Sequence, residues 1–126
     1  MPQRRIHPDR RLIGTWKSDR RRTFRYFRPK GLHEKKLRAL IGKMVIRWGR
    51  HQCVAELDGL RTTDSYRVVA ADDNSVVIRS NDVFANGTHL SQIFFVDADC
   101  YYICTPYGFA EYFRRVKSTA NTAVKR

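Results

Sequence analysis

The sequence predicts a mostly-β fold: a single antiparallel meander barrel of eight strands, with one short helix near residues 32–42. Three observations predict it. Runs rich in strand-forming residues recur along the 126 residues, most of them separated by short turns. Apolar and polar residues alternate within these runs, as in Tyr66-Arg67-Val68, which indicates one buried face. A meander of this many strands leaves no exposed edge only when the sheet closes on itself.

Turn signals set the limits of the strands. Gly49-Arg50, Asp58-Gly59 and the acidic clusters at 72–75 and 97–99 are typical of tight turns. They separate eight strands, which we place at residues 13–18, 44–48, 52–57, 60–71, 76–80, 88–96, 101–105 and 109–116. Residues 23–27 are also predicted to be extended, either continuing the first strand or pairing with it.

The helix is predicted from a change in the spacing of the apolar residues. Leu37, Leu40 and Ile41 recur at helical spacing, while basic residues occupy the other side. Gly42 supplies the end of the helix.

Domain organisation follows from composition at the two ends. Residues 1–11 carry two prolines and four arginines without an apolar period, which predicts a basic flexible arm. The barrel domain then spans residues 12–117, and residues 118–126 form a flexible tail. No apolar segment follows Met1 and no run is long enough to span a membrane, so we expect a cytoplasmic protein.

The positive charge is concentrated in the first part of the chain. Residues 1–50 contain 17 Lys and Arg against 3 Asp and Glu, and residues 51–126 contain 8 against 9. Such asymmetry indicates an anionic partner, such as nucleic acid or another polyanion. A solvated basic face is the alternative.

Three features resemble the lipocalin and fatty-acid-binding (calycin) superfamily, and most closely a small bacterial lipocalin-like domain of unassigned function. Gly14-Thr15-Trp16 opens the first strand, as the Gly-x-Trp element does there. A helix interrupts the chain early, and the pair Arg114-Arg115 lies on the last strand. The resemblance implies a barrel around a small ligand, with Trp16 closing its apolar end beneath an arginine of the last strand. The order Tyr112-Phe113-Arg114 reverses the Arg-x-Tyr pair by which fatty-acid-binding proteins hold a carboxylate.

The leading functional hypothesis is a binding module for a small apolar or anionic amphipathic ligand. Strand parity places Arg114 on the inner face with Tyr112, unless a bulge reverses it, and a buried cation needs an anionic or hydrogen-bonding partner. The predicted ligand-binding residues are Trp48, Tyr66, Ile78, Phe95, Tyr112 and Arg114.

The second hypothesis is a nucleic-acid or acidic-partner binder. Its basis is a run in which cations for phosphates alternate with rings for bases. The predicted anion-binding residues are Arg20, Arg21, Arg22, Arg25, Arg28 and Lys30. We expect Arg20, Arg21 and Arg22 to be exposed charges whose joint neutralisation leaves stability nearly unchanged.

The third hypothesis is a structural or homo-oligomeric domain with a barrel filled by its own side chains. The number of large inward-facing residues separates it from the first. No Gly-x-Ser-x-Gly motif, Cys-x-x-Cys pair or closely spaced histidines occur, so the sequence predicts no catalytic residue, no metal and no cofactor.

Overall fold

One antiparallel sheet closes into a barrel in the computed structural model, which describes residues 9–31, 34–82, 87–105 and 109–117. The strands are β1 (Gly14–Ser18), β2 (Val45–Trp48), β3 (Gln52–Leu57), β4 (Leu60–Ala71), β5 (Ser75–Asp82), β6 (Gly87–Asp97), β7 (Cys100–Cys104) and β8 (Ala110–Arg115). Two helices, α1 (Arg20–Tyr26) and α2 (Glu34–Leu40), lie between β1 and β2. The predicted fold class is therefore confirmed. The predicted tail and most of the predicted arm lie outside the described residues.

Each strand pairs with its neighbour in sequence, and β1 pairs with β8 to close the barrel. The turn between β3 and β4 shows why the strands could be located from sequence. Asp58 and Gly59 both have positive φ, at 53° and 87°. A two-residue hairpin loop of this kind follows the twist of its strands, and Asp-Gly adopts it readily.

The predicted strand at residues 23–27 is wrong, because residues 23–26 belong to helix α1. Asp19 caps the helix, its side chain accepting a hydrogen bond from the backbone N–H of Arg22 at 3.0 Å. Thr23 is fully buried and its Oγ1 accepts from the backbone N–H of Tyr112 at 2.9 Å. Helix α1 thus bonds to β8 at the point where β1 ends. These tertiary contacts outweigh the strand-like alternation of residues 23–27. Helix α2 confirms the helix predicted near residues 32–42.

The apolar end of the barrel is closed by Trp16, as the resemblance implied. Trp16 has no solvent-exposed surface, and its Nε1 donates to the carbonyl oxygen of Leu12 at 2.8 Å. The guanidinium of Arg115 lies 4.3 Å from the centre of the Trp16 ring, which confirms the predicted stacking with an arginine of the last strand. Gly14 makes room for it, since a Cβ at this position would lie 2.6 Å from a terminal nitrogen of Arg115.

Tyr101 lies at the centre of the core. Its ring contacts Trp16 and Phe113 at centroid distances of 4.6 and 5.2 Å, and its hydroxyl accepts a hydrogen bond from Nε1 of Trp48 at 3.1 Å. The buried cluster around it consists of Leu12, Trp16, Trp48, Tyr66, Val76, Ile78, Ile93, Tyr101 and Phe113. These side chains fill one half of the barrel with large apolar groups.

The predicted inner face of β8 is wrong. The register pairs Phe113 with Tyr101 and with Ser18, so Phe113 faces inward, together with Glu111 and Arg115. Tyr112 and Arg114 face outward. Aromatic residues occur on both faces of this strand, and Tyr112 is half-buried because it packs on other rings outside the barrel.

Candidate functional site

Four of the six predicted ligand-binding residues point into the barrel. Trp48, Tyr66 and Ile78 are only 5, 4 and 3% exposed, and Phe95 packs against the same cluster. The polar atoms of the first two are already bonded within the protein, Trp48 to Tyr101 and Tyr66 to the carbonyl oxygen of Gly49. Their surfaces form the floor of the interior.

The other two predicted residues, Tyr112 and Arg114, lie on the outer surface. The Tyr112 ring packs between Tyr26 and Tyr102, at centroid distances of 5.6 and 5.2 Å. Arg114 is exposed. An anionic group inside the barrel would therefore meet neither of them.

The half of the interior above this floor has a different lining. Here the inward-facing residues are smaller and more polar, and they are half-exposed or exposed. By the strand register they are Ala55, Thr62, Asp64, Ser80, Ser91 and Glu111. Asp64 faces inward because it pairs with Cys53, which packs against the core. The interior thus divides into a packed apolar half and a polar half reached by water.

Sequence reasoning missed this polar half. Asp64 stands two residues before Tyr66 on β4, so strand alternation alone would have placed both on one face. Parity with an inward Tyr112 places Glu111 on the outer face, whereas the register places it inside. The carboxyl groups of Asp64 and Glu111 come from strands far apart in sequence, and only the closed sheet places them in one interior.

Glu111 joins three parts of the chain. Its Oε2 accepts a hydrogen bond from the hydroxyl of Ser18 at 2.7 Å, and the oxygen of Ser18 accepts from the backbone N–H of Gly42 at 3.0 Å. Burial raises the pKa of the Glu111 carboxyl, and the hydrogen bond from Ser18 opposes that shift only in part. Chemically, this is an inward acceptor that holds a proton more readily than an ordinary glutamate.

We expect Glu111→Gln to change how stability depends on pH. The folded protein binds the Glu111 proton more tightly than the unfolded chain, where the pKa has its ordinary value of 4.5. The stabilising effect of this group is therefore complete below pH 4.5 and is lost as pH rises through the raised pKa. The variant lacks that titration, so its free energy of unfolding should increase relative to the parent across this window and then stay at a constant difference.

Urea denaturation of both proteins at a series of pH values measures this difference. Glu56→Gln is the matched control, because Glu56 is exposed and faces outward beside Arg61. Curves for Glu111→Gln and the parent that run parallel across the window would contradict the assignment.

Two of the six predicted anion-binding residues donate hydrogen bonds to other parts of the fold. A terminal nitrogen of Arg20 donates to the carbonyl oxygen of Ile41 at 2.9 Å and to that of Arg38, at the end of α2, while its guanidinium covers the ring of Phe24 at 4.7 Å. Arg22 donates to the sulfur of Cys100. Arg20 and Arg21 are exposed, as expected, whereas Arg22 is half-buried.

The remaining four, Arg21, Arg25, Arg28 and Lys30, are exposed. None of them forms a salt bridge within the part of the chain that the structure describes. They form a basic surface on and after α1, on the outside of the barrel.

Two further observations concern the described residues as a whole. No group of three or more His, Cys, Asp or Glu side chains among them could hold a metal ion. No helix among them has both the length and the apolar character needed to cross a membrane.

The chain matches no protein-family model, and comparison with curated proteins and with solved structures gives no significant match.

Proposed function

We propose that this protein is a lipocalin-like barrel that binds a small molecule in the polar half of its interior. The observation that carries the proposal is the division of the inward faces into a packed apolar floor and a water-accessible polar half. An eight-stranded barrel is wide enough to hold one small ligand when its own side chains do not fill it. Gly14, Trp16 and Arg115 add the arrangement expected from the resemblance.

The chemistry of the lining supports a ligand with a protonated amine or other hydrogen-bond donors. Among the side chains that the structure describes, the inward charged groups above the floor are the carboxyls of Asp64 and Glu111, and hydroxyl groups accompany them. An anionic head group would be repelled there, and Arg114 is on the outer surface. The apolar part of such a ligand would rest on Trp48, whose ring forms part of the floor.

A pair of matched fluorescent probes tests this proposal. Dansylcadaverine carries a primary amine, and the dansyl derivative of aminohexanoic acid carries a carboxylate on a chain of similar length. We expect the amine to bind more tightly, measured by energy transfer from tryptophan to the dansyl group. Glu111→Gln and Asp64→Asn should each reduce the preference, while Glu56→Gln on the outer surface should preserve it.

Two outcomes would overturn the proposal. Tighter binding of the carboxylate probe would reverse the assigned ligand chemistry. Binding of neither probe, under conditions where the protein is folded by circular dichroism, would favour the structural domain with a filled barrel.

A further inference from the structure

An open groove lies on the outer surface of the barrel, at the hairpin between β2 and β3. Its volume is about 660 Å³, and its lining includes the neighbouring part of β4. The cationic and polar side chains in this lining are Arg47, Arg50, His51, Gln52, Ser65 and Arg67. No carboxylate of the described residues belongs to the lining, although three arginines converge on it.

The arginines of the groove also form no ion pairs with described residues outside it. Arg47, Arg50 and Arg67 are exposed, and none forms a salt bridge within the described residues. Arg61, on the same outer face, shows the opposite pattern: its Nε lies 3.1 Å from a carboxylate oxygen of Glu56. The outer face therefore neutralises an arginine outside the groove and leaves those inside it unpaired.

A like-charge pair extends the groove across the sheet. Arg67 on β4 stands directly opposite Arg79 on β5, and both face outward and are exposed. Like charges at directly opposed positions destabilise a sheet. An anion bound between them would remove that cost, and no carboxylate of the described residues stands in register with either arginine.

The backbone beneath the groove is held in place. The Tyr66 hydroxyl donates to the carbonyl oxygen of Gly49, and the backbone N–H of Tyr66 donates to that of His51 at 2.9 Å. The N–H of Gly49 donates to the carbonyl oxygen of Gln52 at 2.8 Å. The buried Tyr66 thus fixes the hairpin that carries Arg50, so binding a ligand there costs less conformational entropy.

We propose that the outer arginine groove, defined as Arg47, Arg50, Arg67 and Arg79, binds the phosphate backbone of a nucleic acid strand. Strands in a sheet are about 4.8 Å apart, so the path over the curved outer surface from β2 to β5 is about 14 Å, which suits several successive phosphates better than one. Arginine provides the paired donors that phosphate oxygens accept. The contacts are to the backbone, so affinity should be nearly independent of base sequence.

Fluorescence anisotropy of labelled single-stranded DNA of mixed sequence, titrated at several salt concentrations, tests the proposal. The groove variant is Arg47→Gln, Arg67→Gln and Arg79→Gln together. Its matched control is Arg21→Gln, Arg25→Gln and Arg28→Gln together, which removes the same charge from the α1 surface. We expect the groove variant to bind at least about tenfold more weakly and to lose about two units of the salt slope, since each contact to a single strand contributes about 0.7. The α1 variant should keep most of both.

A second groove variant separates phosphate binding from a structural role. Replacing the same three arginines by lysine keeps the charges, so most of the salt slope should remain, and a loss equal to that of the glutamine variant would overturn the proposal. Denaturation midpoints of all variants establish that they are folded.

Four other results would also overturn it. If the groove and α1 variants weaken DNA binding equally, binding depends only on net charge. If the α1 variant weakens it more, the α1 surface is the binding site. Competition by inorganic tripolyphosphate as effective as by DNA at equal phosphate concentration would indicate a small anion. Binding to phosphatidylserine vesicles without binding to DNA would assign the groove to a membrane surface. None of these results bears on the ligand in the barrel interior.

Discussion

Trp16→Ala is expected to lower the free energy of unfolding by about 3–5 kcal/mol, the range for truncating a buried large aromatic side chain. The indole has no exposed surface, packs against Tyr101 at 4.6 Å and donates to the carbonyl oxygen of Leu12. Its removal also takes away the ring beneath the guanidinium of Arg115. Urea denaturation with the linear extrapolation measures the change.

Lys17→Ala is the control for this variant, because Lys17 is the next residue along β1, faces outward and is exposed. It should change stability by no more than about 0.5 kcal/mol. A Trp16→Ala protein as stable as the Lys17→Ala protein would mean that Trp16 does not hold the end of the barrel.

Tyr101 is the second position at which a large effect is expected. Tyr101→Ala should cost about 3–5 kcal/mol, because it leaves a cavity at the centre of the aromatic cluster. Tyr101→Phe keeps the ring but removes the hydroxyl that accepts from Nε1 of Trp48 at 3.1 Å. An indole N–H buried without an acceptor costs about 1–3 kcal/mol, so this variant should lie between the parent and Tyr101→Ala.

The same denaturation experiment measures both variants, with Tyr102→Phe as control. Tyr102 is half-buried on the outer surface, where its ring packs on Phe94 and Tyr112. If Tyr101→Phe proves as stable as the parent, ring packing alone holds the floor of the interior, and the bond to Trp48 contributes nothing.

The fold was predictable because its signals are local. Two-residue turns such as Asp58-Gly59 and alternation within each strand are read within a few positions of the sequence. The same locality explains the error at residues 23–27, where a strand-like alternation hides a short helix. What stabilises α1 is partly remote in sequence, since Thr23 accepts a hydrogen bond from the backbone of Tyr112.

The candidate sites were predictable only in part, because they depend on register. The sequence predicts that Trp48 and Tyr66 face inward, but predicting the polar lining above them requires knowing which residues of different strands stand side by side. Aromatic residues on both faces of β8 make the parity of Arg114 ambiguous, which is why its predicted inward position is wrong. The outer arginine groove is hidden still more completely, since Arg47, Arg67 and Arg79 stand apart in the sequence and meet only in the sheet.

The pairing of β1 with β8 has a consequence for the kinetics of the fold. Seven of the eight strand pairings join neighbours in sequence, whereas closure brings together groups 102 residues apart, as in the hydrogen bond from Arg115 to the carbonyl oxygen of Ile13. Contacts between such distant residues carry the largest loop-closure entropy, so we expect them to form after the successive hairpins. Interactions absent from the transition state act mainly on the unfolding rate. The lifetime of the folded protein, rather than the speed at which it forms, is then set where its first and last strands meet.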